Sequence, residues 1–217
     1  MIPKILDSCL LFENVHPEDR TKMLACLGAK ELEAKRGSVI FSEGDPALYV
    51  GIVLSGQVQL EREDYYGNRS IISSAGPGEL FGESFACAGL KTYPVTAAAV
   101  EDSRVMLIDS RRITATCCNA CSFHNQMIYN MLKVVATNNL SLNRKIEITS
   151  KRTTREKLMA YLMTQAKLHG SNCFTIPYDR QALADYLEVE RSAMSAEISK
   201  LKKDGIIDCN KSQFCLL

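Results

Sequence analysis

No glycine or proline interrupts residues 119–146. A helix over that stretch would run about 40 Å, more than twice the length of an ordinary helix of about 11–12 residues. Its apolar residues fall on two sides: Phe123, Met127, Met131 and Val134 on one, Ile128, Leu132, Val135 and Leu142 on a neighbouring one. Two apolar sides demand two partners. One is expected to be the chain's own body, the other the same helix of a second subunit. The dimer seam is assigned to Phe123, Met127, Met131 and Val134, with Val135 beside them.

The chain on either side of this rod has a different texture. Residues 1–28 read as short helices, with Pro17 followed by Glu18 and Asp19 as a helix start and Gly28 as a stop. Residues 30–110 read as many short strands, at 39–41, 48–54, 58–60, 70–72, 96–100 and 105–108, separated by turn residues such as Gly44-Asp45, Ser55-Gly56 and Gly76-Pro77-Gly78. Tyr66-Gly67-Asn68 lies between two of them as a hairpin tip. Regular short strands predict a barrel or sandwich. Beyond residue 150 the pattern is helical over 153–165, strand-like over 173–177, then two helices over 179–187 and 190–204 broken at Glu188-Val189. A hairpin at 206–209 and 213–217 follows. Two helices joined by a short turn and then a hairpin make a winged helix-turn-helix pattern. The expected class is α+β: an N-terminal β-roll of jelly-roll type over 1–112, a long dimerisation helix over 113–149 and the winged domain over 150–217.

Composition narrows the function. With 46% hydrophobic and 24% charged residues the 217-residue chain is an ordinary globular one. Net charge is only +1, but residues 151–217 hold eleven Lys/Arg against eight Asp/Glu, which makes the C-terminal part the one suited to a polyanion. There is no 18-residue apolar run and no signal-peptide core, so a cytosolic location without membrane contact is expected. Nine cysteines in a reducing compartment are read as thiols, with Cys9, Cys26, Cys87, Cys173, Cys209 and Cys215 as small buried hydrophobes. Gly-x-Ser-x-Gly, His-Glu-x-x-His and Gly-Lys phosphate loops are all missing, which excludes the common enzyme classes that they serve.

Three sets of residues could carry chemistry. In the second helix of the helix-turn-helix, Arg191, Ser192, Ser195, Ser199 and Lys200 share the outer face. A reading helix needs short polar side chains and a guanidinium near its N-terminal end, because Arg can give guanine two parallel donors. Arg180, opening the first helix, is grouped with them as a DNA contact. In the barrel, Gly82-Glu83 followed by Ser84, with Tyr93-Pro94 and Thr96 further on, make a second set, which is a candidate effector pocket by family resemblance. The third set is Cys117-Cys118-Asn119-Ala120-Cys121-Ser122-Phe123-His124. Cys118, Cys121 and His124 stand three apart and could hold a metal, although the expected reading is a thiol-rich helix start and no cofactor. Nothing in the spacing of His16, His124 and Cys87 argues for haem.

The whole chain resembles the Crp/Fnr family of bacterial transcription regulators. The resemblance is carried by Phe41-Ser42-Glu43-Gly44-Asp45, by residues 48–54 with Ser55-Gly56, and by Gly78-Glu79-Leu80-Phe81-Gly82-Glu83. In the second half it is carried by Ser150-Lys151-Arg152-Thr153-Thr154-Arg155-Glu156-Lys157-Leu158 and by Arg180-Gln181-Ala182-Leu183-Ala184-Asp185-Tyr186-Leu187. It implies a β-roll sensor, a dimer helix and a winged domain that reads double-stranded DNA as a homodimer, with RNA polymerase as a further partner. It also implies base contacts at Arg191 and Ser192. Several relatives carry another Arg where this chain has Ala196, so the family's operator sequence is not carried over to this chain. In cyclic-nucleotide-binding relatives a Gly-Glu pair opens a short helix whose Glu holds the ribose, and an Arg-Ser pair holds the cyclic phosphate. Here the latter positions read Tyr93-Pro94. Tyr93 brings no charge and Pro94 no N–H donor, and Lys91 is a point charge two residues early. The expectation is therefore a regulator whose effector is not a cyclic nucleotide. Two alternatives remain open: an effector-free DNA binder with a degenerate barrel, and a cyclic nucleotide-binding module acting through protein contacts. Iron–sulfur relatives use an N-terminal cysteine cluster, for which Cys9 and Cys26 are too sparse.

Overall fold

The computed structural model describes residues 3–114 and 122–217, with the side chains of 114, 122 and 123 excepted. Its contacts divide the chain into two units, Met1–Asn139 and Leu140–Leu217. The long helix is therefore not a separate middle part over 113–149. Helix α4 (Ser122–Thr149) is shared, and its last ten residues belong to the second unit.

The first unit opens with two 3-10 turns and α1 (Pro17–Cys26). Eight strands follow: β1 (Lys30–Ala34), β2 (Val39–Phe41), β3 (Tyr49–Ser55), β4 (Val58–Glu63), β5 (Arg69–Ala75), β6 (Leu80–Phe81), β7 (Thr96–Ala99) and β8 (Ser103–Asp109). They form two four-stranded sheets, ordered β1-β8-β3-β6 and β2-β7-β4-β5, with antiparallel pairing throughout. Short α2 (Glu83–Cys87) and α3 (Ser110–Thr114) complete the roll. Strand β3 explains the unbroken apolar run in its sequence, because both of its faces are covered. Val50, Ile52 and Leu54 join one core with Leu11, Phe12, Met23 and Ile108. Val53 joins the interior of the roll with Phe41, Val58, Phe81 and Tyr93. Gly51 is needed there: a Cβ would lie 2.1 Å from the Phe81 ring.

Strand β1 was not visible as one, since Lys-Glu-Leu-Glu-Ala favours helix. Five consecutive pairs with β8, from Lys30↔Leu107 to Ala34↔Ser103, override that preference. At the β4–β5 tip, the Asp64 carboxylate accepts from the Tyr66 and Asn68 amides at 2.8 and 2.9 Å and holds the turn expected around Gly67.

The second unit contains α5 (Thr154–His169), β9 (Cys173–Thr175), α6 (Arg180–Leu187), α7 (Arg191–Lys203), β10 (Ile207–Asn210) and β11 (Gln213–Leu216). The three strands pair in the order β10-β11-β9. Each helix begins where its capping chemistry dictates. Thr153 and Glu156 form a capping box on α5, and Asp179 accepts from Ala182 N at 2.8 Å on α6. Leu158, Tyr161, Leu162, Leu183, Leu187, Met194, Ile198, Leu201 and Phe214 are buried between them.

Candidate functional site

The turn between α6 and α7 is the piece that aims the second helix. Glu188 ends α6 in the left-handed region, φ 54. An L-residue seldom adopts that conformation unaided, and two lysines hold it. Lys157 on α5 donates to the Leu187 and Glu188 carbonyls, both at 3.3 Å, satisfying the exposed end of α6. The Lys145 ammonium on α4 lies 3.8 Å from the Glu188 carboxylate and 5.1 Å from the centre of the Tyr186 ring. Burial pulls the Lys145 ammonium below the ordinary lysine range, with Glu188 opposing the shift. Neither lysine was singled out from the sequence. The available signal was a cation one turn into the Thr153-capped helix, which shows its purpose only once the helices pack.

Helix α7 starts at Arg191, capped by the Glu190 carboxylate, which accepts from Ala193 N at 2.8 Å and from the Ser192 hydroxyl. Those donors hold the Glu190 carboxyl below its usual range, the Ser192 bond most of all. Arg191 is exposed, and its guanidinium makes no hydrogen bond or ion pair among the described residues. The other expected contacts differ in readiness. Ser192 is engaged by Glu190, Ser195 is half-buried, Ser199 donates back to Ser195 O at 3.0 Å, and Lys200 pairs with Glu197 at 2.7 Å. Arg180 is half-buried and engaged within its own unit. Its guanidinium packs 5.0 Å from the centre of the Phe214 ring, donates to Cys209 Sγ at 3.6 Å and buries Nη1 without a partner among the described residues. From the start of α6 it folds onto the sheet of its own unit, because Phe214 offers an apolar face to its stem and ring electrons to its charge. The wing tip was not singled out either. Lys211, at φ 52 between β10 and β11, is exposed there.

The dimer-seam assignment is also corrected. Met127, Met131 and Val134 are buried in the first unit's own core, with Leu11 and Phe12. Asn130, fully buried among them, donates to the Leu11 and Glu13 carbonyls at 3.0 and 2.7 Å and fixes that side inward. The exposed apolar side is the other one. Ile128 is 46% and Leu132 66% exposed, and Val135 is half-buried. Asn139, Leu142 and Ile146 continue the same spacing of four and three residues along the helix. That four-and-three spacing is the pattern of a heptad repeat, with one polar residue inside it.

In the roll, Gly82 at φ 76 caps α2, and Glu83 follows, only 4% exposed. Its Oε1 accepts from Asn138 Nδ2 at 2.7 Å and Ser84 Oγ at 3.0 Å; its Oε2 is buried with no partner among the described residues. Tyr93 stacks on Phe41 with ring centres 3.8 Å apart, and Phe85 meets it edge-on at 6.5 Å. Its hydroxyl donates to Tyr49 O at 2.6 Å and accepts from Tyr49 N at 3.0 Å. Burial pushes the Tyr93 phenol above its usual range, so it stays neutral. Pro94 is exposed, and Thr96 spends its hydroxyl on Glu43 N at 3.1 Å. Tyr93 is thus held in an aromatic stack, with no charge of its own.

Of the metal candidates, Cys117, Cys118 and Cys121 lie outside the described residues, as does the side chain of Phe123. His124 is buried with Nε2 3.4 Å from Arg112 O. The reading of the cysteines as buried thiols holds for Cys9, whose thiol burial pushes up to about 11. It fails elsewhere: Cys26 and Cys87 are exposed, and Cys173 and Cys215 are joined in a disulfide. The β9–β11 register sets them opposite each other, although 42 positions separate them in sequence.

A sensor-type roll, a shared long helix and a winged helix-turn-helix with a free arginine at the start of its second helix define a DNA-binding regulator. The cyclic nucleotide-binding domain family matches residues 31–118, and the Crp-like helix-turn-helix domain family matches residues 156–217. The chain belongs to the Crp/Fnr family of transcription regulators, which are not enzymes. It is similar to the transcriptional activator protein FnrA of Stutzerimonas stutzeri, 24% identical over 190 residues, covering 84% of this chain and 75% of that one. In fold it is similar to the c-di-GMP-responsive global regulator CLP of Xanthomonas campestris, with a TM-score of 0.75 at 18% identity, covering 93% and 99% of the two chains. FixK2 of Bradyrhizobium japonicum gives 0.69 at 22% identity, covering 87% and 92%.

Proposed function

We propose that the protein works in the cytoplasm as a homodimer that reads a two-fold-symmetric DNA site and recruits or blocks RNA polymerase, and that its roll answers to something other than a cyclic nucleotide. The observation that carries the DNA reading is Arg191: an unengaged guanidinium at the first turn of α7, on a helix whose start is fixed by a cap and whose turn is held by Lys145 and Lys157. The N-terminal end of a reading helix reaches deepest into the major groove. Ser195 and Ser199 are short enough to let the backbone approach, and Lys200 and Lys211 flank the face with charge for phosphates. Surface pairing of Lys200 with Glu197 holds it only weakly.

Fluorescence anisotropy on promoter fragments tests this. Arg191→Ala should lose about 1–3 kcal/mol on the specific site. Lys200→Ala should weaken all sequences alike and flatten the salt slope by about one unit. Equal affinity of wild type and Arg191→Ala for the specific site would remove Arg191 from the reading.

The seam of Ile128, Leu132, Val135, Asn139, Leu142 and Ile146 supports the homodimer, since a second copy of the same helix offers the matching pattern. For the effector, the buried and unpartnered Glu83 Oε2 supports a ligand that donates a hydrogen bond. Cyclic AMP and cyclic GMP should give no calorimetric signal at micromolar concentration. The missing charge-assisted pair costs about 1.5–3 kcal/mol, or about 10–150-fold in affinity. A micromolar dissociation constant for either would overturn this. The aromatic stack of Phe41 and Tyr93 favours one second reading, a filled roll with effector-free DNA binding. DNA affinity measured with and without a metabolite extract separates the two.

A further inference from the structure

One covalent feature of the winged unit has no part in the reading above. Cys173 in β9 is disulfide-bonded to Cys215 in β11, with Cα atoms 4.1 Å apart. The two face each other in the antiparallel register, and the backbone bond from Leu216 N to Asn172 O, 2.9 Å, lies at the neighbouring pair. Position 173/215 is therefore a non-hydrogen-bonded pair, where facing side chains come closest. Cys173 is exposed and Cys215 half-buried, so a soluble reagent can reach the sulfur. A protein that works on DNA in a cytoplasm sits among reductants, and disulfides there are chiefly transient or redox-sensing.

We infer that Cys173 and Cys215 are a reversible thiol–disulfide site, oxidised by a peroxide and reduced by a dithiol, whose closed form binds DNA more tightly. This rests on the DNA reading proposed above. In the forward direction the Cys173 thiolate attacks one peroxide oxygen. The O–O bond breaks, water leaves, and Cys173 becomes a sulfenic acid. The Cys215 thiol then displaces that hydroxyl as a second water and forms the S–S bond. The two thiols together give up two electrons and two protons, and these reduce hydrogen peroxide to two waters. In reverse, a dithiol's thiolate attacks Cys173 Sγ and releases Cys215 as a thiol. The dithiol's second sulfur then displaces Cys173 and leaves the reductant as a disulfide.

The link to affinity runs through β11. Strand β9 has three residues and, among the described residues, stands at the sheet edge beside β11. Strand β11 pairs with β10 to form the wing, begins just after the Lys211 tip, and carries Phe214 beneath the Arg180 guanidinium. The disulfide ties the root of that wing to β9. Opened, β9 and the end of β11 must be ordered again when DNA binds, and each residue so ordered costs affinity.

The experiment uses the full chain in peroxide-treated and dithiothreitol-treated forms. Peptide mapping should find the 173–215 cross-link in the first and free thiols in the second. The reduced form should bind a selected operator about tenfold more weakly and recover on reoxidation. Its C-terminal unit should melt roughly 10–30 °C lower. The Cys173→Ser/Cys215→Ser variant should stay at the weaker affinity under both treatments, which sets aside the other seven cysteines. A missing cross-link after peroxide, or equal affinity of the two wild-type forms, would overturn the inference. If neither form bound any DNA, the functional reading would fall. Amide exchange at residues 171–176 and 213–217 would then decide the site alone: faster exchange on reduction retains it, and unchanged exchange rejects it.

Discussion

Aspartate at both Ile128 and Leu132 should turn the proposed dimer into a monomer that has lost most of its operator affinity. Both side chains are large, apolar and exposed on α4, and the heptad spacing puts them where a second helix would bury them. Each unpaired carboxylate in that seam costs about 3–5 kcal/mol, or about two to four orders of magnitude in the dissociation constant of the dimer for each one. A monomer holds one half-site and forfeits the gain from joining two. Sedimentation velocity over a concentration series measures the loss directly. A wild-type protein that stays monomeric at micromolar concentration, or a variant that dimerises as well as wild type, would refute the assigned seam.

The opposite side of the same helix should respond differently. Met127→Ala should lower the stability of the first unit by about 2–5 kcal/mol, because Met127 is fully buried among Leu11, Phe12 and Ile108. Urea unfolding followed by circular dichroism reads this as an earlier midpoint. The dimer constant, taken well below that midpoint, should stay close to wild type. A change in stability under about 0.5 kcal/mol, the size of a surface substitution, would mean that Met127 does not sit in the core. The two substitutions together separate an inward from an outward face, which a single disruptive change cannot do.

These two sides show where the sequence stops being legible. The existence of the helix follows from a run without breakers, and the structure gives it as Ser122–Thr149. Which stripe faces inward does not follow from hydrophobicity, since both stripes are apolar. The inward face is chosen by the N-terminal segment, whose Leu11 and Glu13 carbonyls need the Asn130 amide. The four-and-three spacing from Ile128 to Ile146 was the signal that could have assigned the seam. The helix starts of the winged unit were legible to within a residue, read as 179 and 190 where the structure has Arg180 and Arg191, because local capping chemistry sets them. The packing of Arg180 was hidden because its partner Phe214 is 34 residues away in sequence and arrives by strand pairing. The Cys173–Cys215 contact was hidden for the same reason. At Tyr93 the sequence already announced a missing cation, while the stack on Phe41 that fills the space is a tertiary fact.

The central claim is that α7 reads DNA through Arg191 in a two-fold complex. Selection of binding sites from random duplex DNA, run in parallel with wild type and Arg191→Ala, tests it most directly. The account predicts a pseudo-palindromic consensus with half-sites about one helical turn apart, and one base position in each half-site that relaxes in the variant. A wild-type pool with no enriched sequence, or a variant that recovers the wild-type consensus at every position, would contradict it.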